Sequence, residues 1–337
     1  MEVDDYKIGK GEKPLIIAEA GTNFGGDITL AKRFIEEASA AGADAVKFQT
    51  HVRDAEMAER PMRELGYGDL YERIERQELD KSEHAELKSH CNGHSVLFIS
   101  TPYSVEGVRL LDELGVPAFK IGSGELTNYH LLKHAAETGK PLLISTGMAD
   151  MGTVSQSIEF VDQHAEEYVV LYCVSVYPTD PADFNLGLLE RMRSDFGVPV
   201  GFSDHSEGNE IAKIAIARGA DVVEVHFTLS KNLPWGDQEV SVEPDQLREI
   251  CNFAELYTKT KGLKKDMLEE EKEVKKWASH SLVTKKDLDE EEKMTRKNTT
   301  TKRPGTGIPA SEYYEKLGSK IKEAVEQDQA ILKNDIE

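Results

Sequence analysis

Eight short apolar runs recur along the chain, with amphipathic stretches between most of them. The runs are LIIAEAG (15–21), AVKFQT (45–50), SVLFIST (95–101), AFKIG (118–122), PLLIST (141–146), YVVLYCVS (168–175), VPVGFSDH (198–205) and DVVEVHF (221–227). Near-continuous apolar strands that alternate with helices belong to a parallel sheet covered by helices. Between the runs, ITLAKRFIEEASAAGA places Leu30, Phe34, Ile35 and Ala38 on one helix face. NEIAKIAIARGA does the same with Ile211, Ile214, Ala215 and Arg218, ahead of Gly219 as a stop. Eight such units in about 250 residues predict an α/β fold of the (β/α)8 TIM-barrel type. The alternative is an open doubly wound sheet, but no Gly-x-Gly-x-x-Gly follows a strand to support a dinucleotide-binding version.

The barrel is expected over residues 1–262. Its 51–80 segment is long for one strand-to-helix connection and reads as an elaborated loop on the catalytic side, with a short helix at LYERIER. Residues 263–276 belong to a charge-dense stretch, poor in apolar residues, and read as a linker or exposed helix. Residues 277–337 read as a second compact unit. About 60 residues make a small independent core, so this unit is expected to pack on something else.

Lys and Arg total 41 against 62 Asp and Glu, a net charge of −21. That balance argues against non-specific nucleic-acid binding and against anionic membranes. No apolar run is long enough for a transmembrane helix. The opening MEVDDYKIGKGEKP has no apolar core after a basic segment, so no signal peptide is expected and the protein is predicted to be cytoplasmic. Cys91, Cys173 and Cys251 lie far apart and fit neither a zinc pattern nor a disulfide framework. An anionic substrate would meet an opposing net charge, so its site must concentrate positive charge locally.

Polar residues gather at the C-terminal ends of the eight runs, the face on which barrel enzymes carry their chemistry. In chain order they are Glu19, Lys47 and Gln49, Thr101, Lys120 and Ser123, Ser145 and Thr146, Ser175 and Tyr177, Ser203 and His205, and His226. The last two runs are neighbours in a barrel, so His205 and His226 can converge. Neutral imidazoles suit a transition metal; the plain alternative is a pair of core or loop histidines. Lys47 and Lys120 lie inside apolar strands, where an unpaired cation is costly. They form either an anion cradle, helped by Ser123, Ser145, Ser203 and the glycines of KIGSGE, or ion pairs with Glu19 and Glu125.

IAEAGTNFGGDITLAKRFIEEASAAGADAVKFQTH, FISTPYSVEGVRLLDELGVPAFKIGSGELTN, PLLISTGM, YPT, GFSDHSEG and VEVHFTL together resemble the sialic acid synthase family. KRPGTGI in the tail resembles that family's antifreeze-protein-like (SAF) domain. The resemblance runs from about residue 14 to the end and implies a concrete activity. Phosphoenolpyruvate condenses with an open-chain N-acetylated mannosamine-type sugar, and a nine-carbon 2-keto acid such as N-acetylneuraminate forms with release of phosphate. It implies a divalent metal, Mn2+ or Mg2+, on His205 and His226, where it acts as a Lewis acid on the sugar aldehyde. Lys47, Lys120, Ser123, Ser145 and Ser203 would hold phosphoenolpyruvate. Asp237 would bind sugar hydroxyls, and Tyr177 and Gln49 would line the same pocket with Thr101 and Ser175. Arg303 would reach the N-acetyl group across a domain-swapped homodimer. Glu19 or Glu125 would orient the water or a sugar hydroxyl.

The chain departs from the family pattern in three places. The first loop reads NFGG, with Phe24 in place of the usual histidine. Ser175 stands where asparagine is common, and the tail opens on WASH (277–280). These departures bear on which sugar is used, and relatives that make legionaminic or pseudaminic acid from diacetamido trideoxy sugars are the alternative. KFQTH and YERIERQELD lean towards the N-acetylneuraminate branch. Two further readings are a Schiff-base pyruvate aldolase acting through Lys47 or Lys120, and a non-catalytic barrel that only carries the tail.

Overall fold

The computed structural model describes residues 1–234 and 236–337. It divides into two compact units, Met1–Lys261 and Gly262–Glu337. The first unit opens on a hairpin of β1 (Glu2–Val3) and β2 (Tyr6–Lys7), which the sequence reading did not anticipate. Eight parallel strands follow and close into a barrel: β3 (Leu15–Gly21), β4 (Ala45–Thr50), β5 (Leu97–Pro102), β6 (Phe119–Ile121), β7 (Leu142–Ser145), β8 (Tyr168–Cys173), β9 (Val200–Asp204) and β10 (Val222–His226). Closure comes where β10 pairs with β3, with His226 opposite Glu19. The eight apolar runs are therefore the eight barrel strands, and the doubly wound alternative is excluded.

Side chains alternate across a strand, and the inward set changes character along the barrel axis. At the lower end Leu15, Ile17, Ala45, Leu97, Ile99, Ala118, Leu143, Val169, Leu171 and Val222 form a closed apolar cluster. Val3 and Ile8, from the hairpin and the turn after it, join that cluster and plug the bottom. Two residues further up, the same inward column becomes Glu19, Lys47, Thr101, Lys120, Ser145, Ser203 and Glu224, which line a cavity. The outward column, including Ile16, Val46, Phe48 and Phe98, packs on the helices.

The helix Ile28–Ala41 starts where the Asp27 carboxylate accepts from the Thr29 and Leu30 amides, at 2.8 and 3.1 Å. It ends at Gly42, which takes the left-handed conformation at φ 95°. Phe34, Ile35 and Ala38 are buried as expected, and Leu30 lies at the edge of the stripe. In the helix Glu210–Ala217 Ala215 is buried as expected, but Ala212 and Ile216 are buried beside it and Ile214 is 47% exposed. This helix is apolar nearly all round, so periodicity alone does not choose its inner face. The 51–80 excursion holds three short helices, Arg53–Glu56, Glu59–Glu64 and Gly68–Glu75. Arg53 pairs with Asp54 and Glu75 and lies 4.6 Å from the Tyr71 ring centroid.

In the second unit the charge-dense stretch includes a helix, Glu269–Ala278, with no buried residue. Strands β11 (Ser281–Thr284) and β12 (Thr299–Lys302) pair antiparallel. Leu282, Leu288, Met294, Ile308, Ile321, Val325, Ile331 and Ile336 form a core of this unit's own. Among the described residues no helix is long and apolar enough to cross a membrane.

The barrel narrows at Gly201 on β9, where a Cβ would stand 2.4 Å from Leu171 Cδ2 and 2.5 Å from the Val222 carbonyl oxygen. Gly201→Ala should cost about 1–3 kcal/mol by overpacking. Thermal unfolding followed by circular dichroism should show a lower Tm, whereas Gly93→Ala, on a helix with nothing within 4 Å of its added Cβ, should not lower Tm.

Candidate active site

The polar inward column surrounds a cavity of about 290 Å³ at the C-terminal mouth of the barrel. At its floor are four buried charges. Lys47 Nζ lies 2.7 Å from Glu19 and 3.7 Å from Glu224, and Lys120 Nζ lies 3.7 Å from Glu224. Each lysine also donates to a hydroxyl, Lys47 to Thr101 Oγ1 at 3.0 Å and Lys120 to Ser145 Oγ at 2.7 Å. Ser203 Oγ donates to Glu224 at 3.0 Å. The carboxylate facing Lys120 is thus Glu224, not Glu125. Glu125 lies outside the cavity lining and accepts from Asn128 Nδ2 at 2.6 Å.

Burial governs the charge states. It pushes the Glu19 carboxyl up, against the pull of Lys47. It works in the same sense on Glu224, but Lys120 and Lys47 overcome it and hold that carboxyl below the usual range. Burial lowers Lys120, while at Lys47 it is outweighed by Glu19 and Glu224, which raise the ammonium's pKa. One carboxylate therefore stays ionised between the two cations, and the other is the easier to protonate.

His205 and His226 converge above this floor, with ring centroids 5.2 Å apart. His205 Nδ1 donates to the Val174 carbonyl at 2.7 Å, which leaves Nε2 as the acceptor from Tyr177 OH at 2.8 Å. His226 Nδ1 is buried with no hydrogen-bond partner among the described residues, and Asp237 Oδ2 stands 3.7 Å from it. Burial and the neighbouring His205 push the His226 pKa well below the ordinary imidazole value. A buried neutral nitrogen, a second imidazole with its tautomer fixed by a backbone carbonyl, and a nearby carboxylate are donor types that a divalent metal takes, although the three do not all stand within 4.8 Å of one another. Burial raises the Asp237 carboxyl. Asn23 holds the Asp237 loop: its Nδ2 donates to Phe227 O and Ser241 Oγ, both at 2.8 Å, and its Oδ1 accepts from the Asp237 amide at 2.6 Å.

Thirteen of the fifteen expected site residues line this one cavity; the exceptions are Glu125 and Arg303. Arg303 belongs to the second unit, where its guanidinium lies 5.6 Å from the Trp277 ring centroid. Phe24 is buried in the outer core, edge-on to Phe48 at 5.7 Å.

Sequence reasoning missed Glu224, Cys173, and the pair His51 and Glu56. Glu224 and Cys173 stand at inward positions of their strands, so the period-2 alternation already pointed to them. His51 Nε2 lies 3.1 Å from Gln49 Oε1, and its Nδ1 lies 2.9 Å from Glu56. The ring stacks on Tyr103 at 4.8 Å. Gln49 Nε2 then donates to Glu19 at 3.0 Å. The elaborated 51–80 loop is in this way tied by hydrogen bonds to a carboxylate in the cavity.

A sequence model described as the NeuB family matches residues 34–266. The chain belongs to the NeuB family. This NeuB-family chain is 37% identical to the N,N'-diacetyllegionaminic acid synthase of Campylobacter jejuni, over 95% of this chain and 99% of that one. It is 32% identical to the N-acetylneuraminate-9-phosphate synthase of Mus musculus, over 97% and 94%. Its fold matches the crystal structure of an N-acetylneuraminic acid synthetase from Leptospira borgpetersenii in complex with citrate. The TM-score is 0.73 at 33% identity, covering 81% of this chain and 94% of that one.

Glu224 gives this NeuB-family site a stability test. Glu224→Gln leaves two buried ammonium groups with one fewer counter-charge, a change that should cost about 3–5 kcal/mol. Because the folded pKa lies below the unfolded one, this stabilisation is fully present above the unfolded carboxylate pKa. It is lost as pH falls through the folded value. Denaturant unfolding of the wild type and of Glu224→Gln should show the full gap at pH 7 and a shrinking gap in the acid range. A gap that does not depend on pH would contradict the ion-pair account.

Proposed function

We propose that the protein condenses phosphoenolpyruvate with N-acetylmannosamine in its open-chain form, releasing phosphate and forming N-acetylneuraminate. The observation that carries this reading is the floor of the cavity. Lys47 and Lys120, paired with Glu19 and Glu224, stand with the hydroxyls of Thr101, Ser123, Ser145 and Ser203 as a compact set of donors for an anion inside an acidic protein. Family membership supports it, since the relatives compared are named as an N,N'-diacetyllegionaminic acid synthase and an N-acetylneuraminate-9-phosphate synthase.

In this reading the cradle holds the phosphate and carboxylate of phosphoenolpyruvate with its C3 facing the histidines. Gln49, Ser175, Tyr177 and Asp237 line the side open to the sugar. A divalent metal, Mn2+ or Mg2+, on His205 and His226 supplies Lewis-acid polarisation of the aldehyde when bound. C3 of phosphoenolpyruvate attacks the aldehyde carbon, water adds at C2, and the C–O bond to phosphate breaks. Glu19 faces the cavity with a raised pKa and is better placed than Glu125 to orient that water or exchange its proton. The second reading, a diacetamido trideoxy hexose giving legionaminic acid, is favoured by one observation. The identity to the legionaminic acid synthase is 37%, against 32% to the N-acetylneuraminate-9-phosphate synthase.

Phosphate release from phosphoenolpyruvate should require a sugar, and a panel of N-acetylmannosamine, its 6-phosphate and diacetamido trideoxy hexoses separates the two readings. Chelator should abolish the release and Mn2+ restore it. Lys120→Met should lower kcat/KM for phosphoenolpyruvate by roughly 100-fold, the loss of about 3 kcal/mol from a buried charge pair. Borohydride with pyruvate should trap no adduct. Trapping at Lys47 or Lys120 would establish the aldolase instead, and no phosphate release with any sugar would leave the scaffold reading.

We also propose that the second unit is the antifreeze-like (SAF) domain and that it acts in trans, with Arg303 of the partner subunit meeting the N-acetyl group in a domain-swapped homodimer. Support comes from KRPGTGI and from the charge-dense stretch between the units. A stretch of this kind lets a small unit reach a second copy. His205→Ala and Arg303→Ala, each nearly inactive and dimeric alone, should regain activity when unfolded and refolded together. Action within one chain predicts an inactive mixture.

A further inference from the structure

The barrel's outer face carries a second group of metal-ligating side chains. Glu36 on the helix Ile28–Ala41 meets His90 and His94 at the end of the helix Lys81–Gly93. One ligand atom from each lies within 4.8 Å of the others, and this is the one such trio of His, Cys, Asp or Glu among the described residues. All three side chains are half-buried.

The local chemistry favours ligation beyond mere proximity. His94 Nδ1 donates to the His90 carbonyl at 2.9 Å, which fixes the tautomer and leaves a lone pair on Nε2. His90 Nε2 stands 3.3 Å from Glu36 Oε1. The other Glu36 oxygen is held by Arg33 at 2.6 Å, so the carboxylate keeps Oε1 towards the histidines. A ring fixed by a backbone carbonyl and a carboxylate fixed by a neighbour are the outer contacts that metal ligands usually have. The two imidazoles are one helical turn apart, with centroids 4.5 Å apart. Ser39 Oγ donates to the His94 carbonyl at 2.9 Å and ties the two helices at this point.

We infer that Glu36, His90 and His94 form a peripheral site for a divalent transition metal of the zinc or cobalt class, completed by water and joining the two helices. Two imidazoles and one carboxylate select such ions over Mg2+ or Ca2+, which prefer all-oxygen sets. Bonds of about 2.0–2.2 Å in a tetrahedral arrangement need donors about 3.3–3.5 Å apart. The Glu36–His90 pair is already at 3.3 Å, and the His94 donor lies within 4.8 Å of both. The site is separate from His205 and His226 and does not depend on the proposed reaction.

The test uses the untagged full chain, stripped with chelator and dialysed, and carrying His205→Ala and His226→Ala to silence the barrel mouth. Cobalt titration should give visible d–d absorption that saturates at one equivalent and is displaced by Zn2+. Zinc should also raise Tm in this background. Adding His90→Ala, His94→Ala or Glu36→Gln should each weaken Zn2+ binding by at least about tenfold and remove the Tm shift. If the double background does not fold, His94→Ala in the otherwise wild-type chain should lower bound Zn2+ by one equivalent and leave turnover unchanged. Binding that is absent, or that none of the three substitutions weakens, overturns the proposal and leaves Glu36–His90 an ordinary polar contact between two helices.

Discussion

The rest of the site depends on two lysines and two glutamates buried at the centre of a closed barrel. Taking four charges out of water costs several kcal/mol for each, and mutual attraction repays this only in good geometry. Barrel closure supplies that geometry. The β3–β4 register sets Lys47 beside Glu19, and closure of β10 on both β3 and β9 brings Glu224 to the same level as Ser203. A one-residue slip in any of these strands would turn its charge out into the apolar layer beneath the helices. The charges therefore require the register, and the apolar plug below them, with Val3 and Ile8, keeps water out from beneath.

Under the proposed function, the lysines of this quartet would hold the anion. At an effective dielectric near 20, one ion pair at 4 Å is worth about 4 kcal/mol. That local attraction outweighs a diffuse surface charge screened beyond about 8–10 Å. The cavity has its lysines matched by carboxylates, as the ion-pair reading of the sequence allowed for Lys47 and Glu19, although Lys120 faces Glu224 and not Glu125. Glu224 is held ionised, so it separates the lysines and keeps them charged. Glu19, raised by burial, is the carboxylate that can accept a proton when an anion arrives.

Much of this was legible in the sequence because the barrel repeats one simple rule. Each strand is apolar below and polar at its tip on every second residue, so strand ends named the wall of the cavity. The rule was applied only to the last residues of each run. In DVVEVHF it gave His226 and passed over Glu224, although both face inward. The pairing of Lys120 could not be read at all, because it depends on which strands adjoin across the closure. His51 and Glu56 were missed for another reason. They act through Gln49, and hydrogen-bond chains that cross from a loop into a strand leave no periodic trace. The inner face of the helix Glu210–Ala217 was misread in part, because Ile211 and Ile214 compete with Ala212 and Ile216 for the stripe that Ala215 shares.

Of the departures from the family pattern within the barrel, Ser175 lines the cavity and Phe24 does not, and the floor is intact. Phe24 replaces a polar residue, yet it is packed into the outer core against Phe48, so its side chain adds nothing to the cavity. Its neighbour Asn23 keeps the bonds that hold the Asp237 loop. Ser175 has a more direct effect. Its hydroxyl sits against Gly147, where an added Cβ would come within 2.1 Å of it. A larger residue at 175 would therefore press on the Gly147–Met148 backbone. With serine there, the mouth cavity adjoins a second, largely apolar one of about 600 Å³, and Met148, Cys173 and Ser175 line both. A substituent on the sugar would meet this boundary, while the lysines below would meet only the anion. Under the proposed reaction, shape at Ser175 would bear on the choice of sugar, whereas Asp237, 3.7 Å from His226 Nδ1, belongs with the charged groups at the mouth.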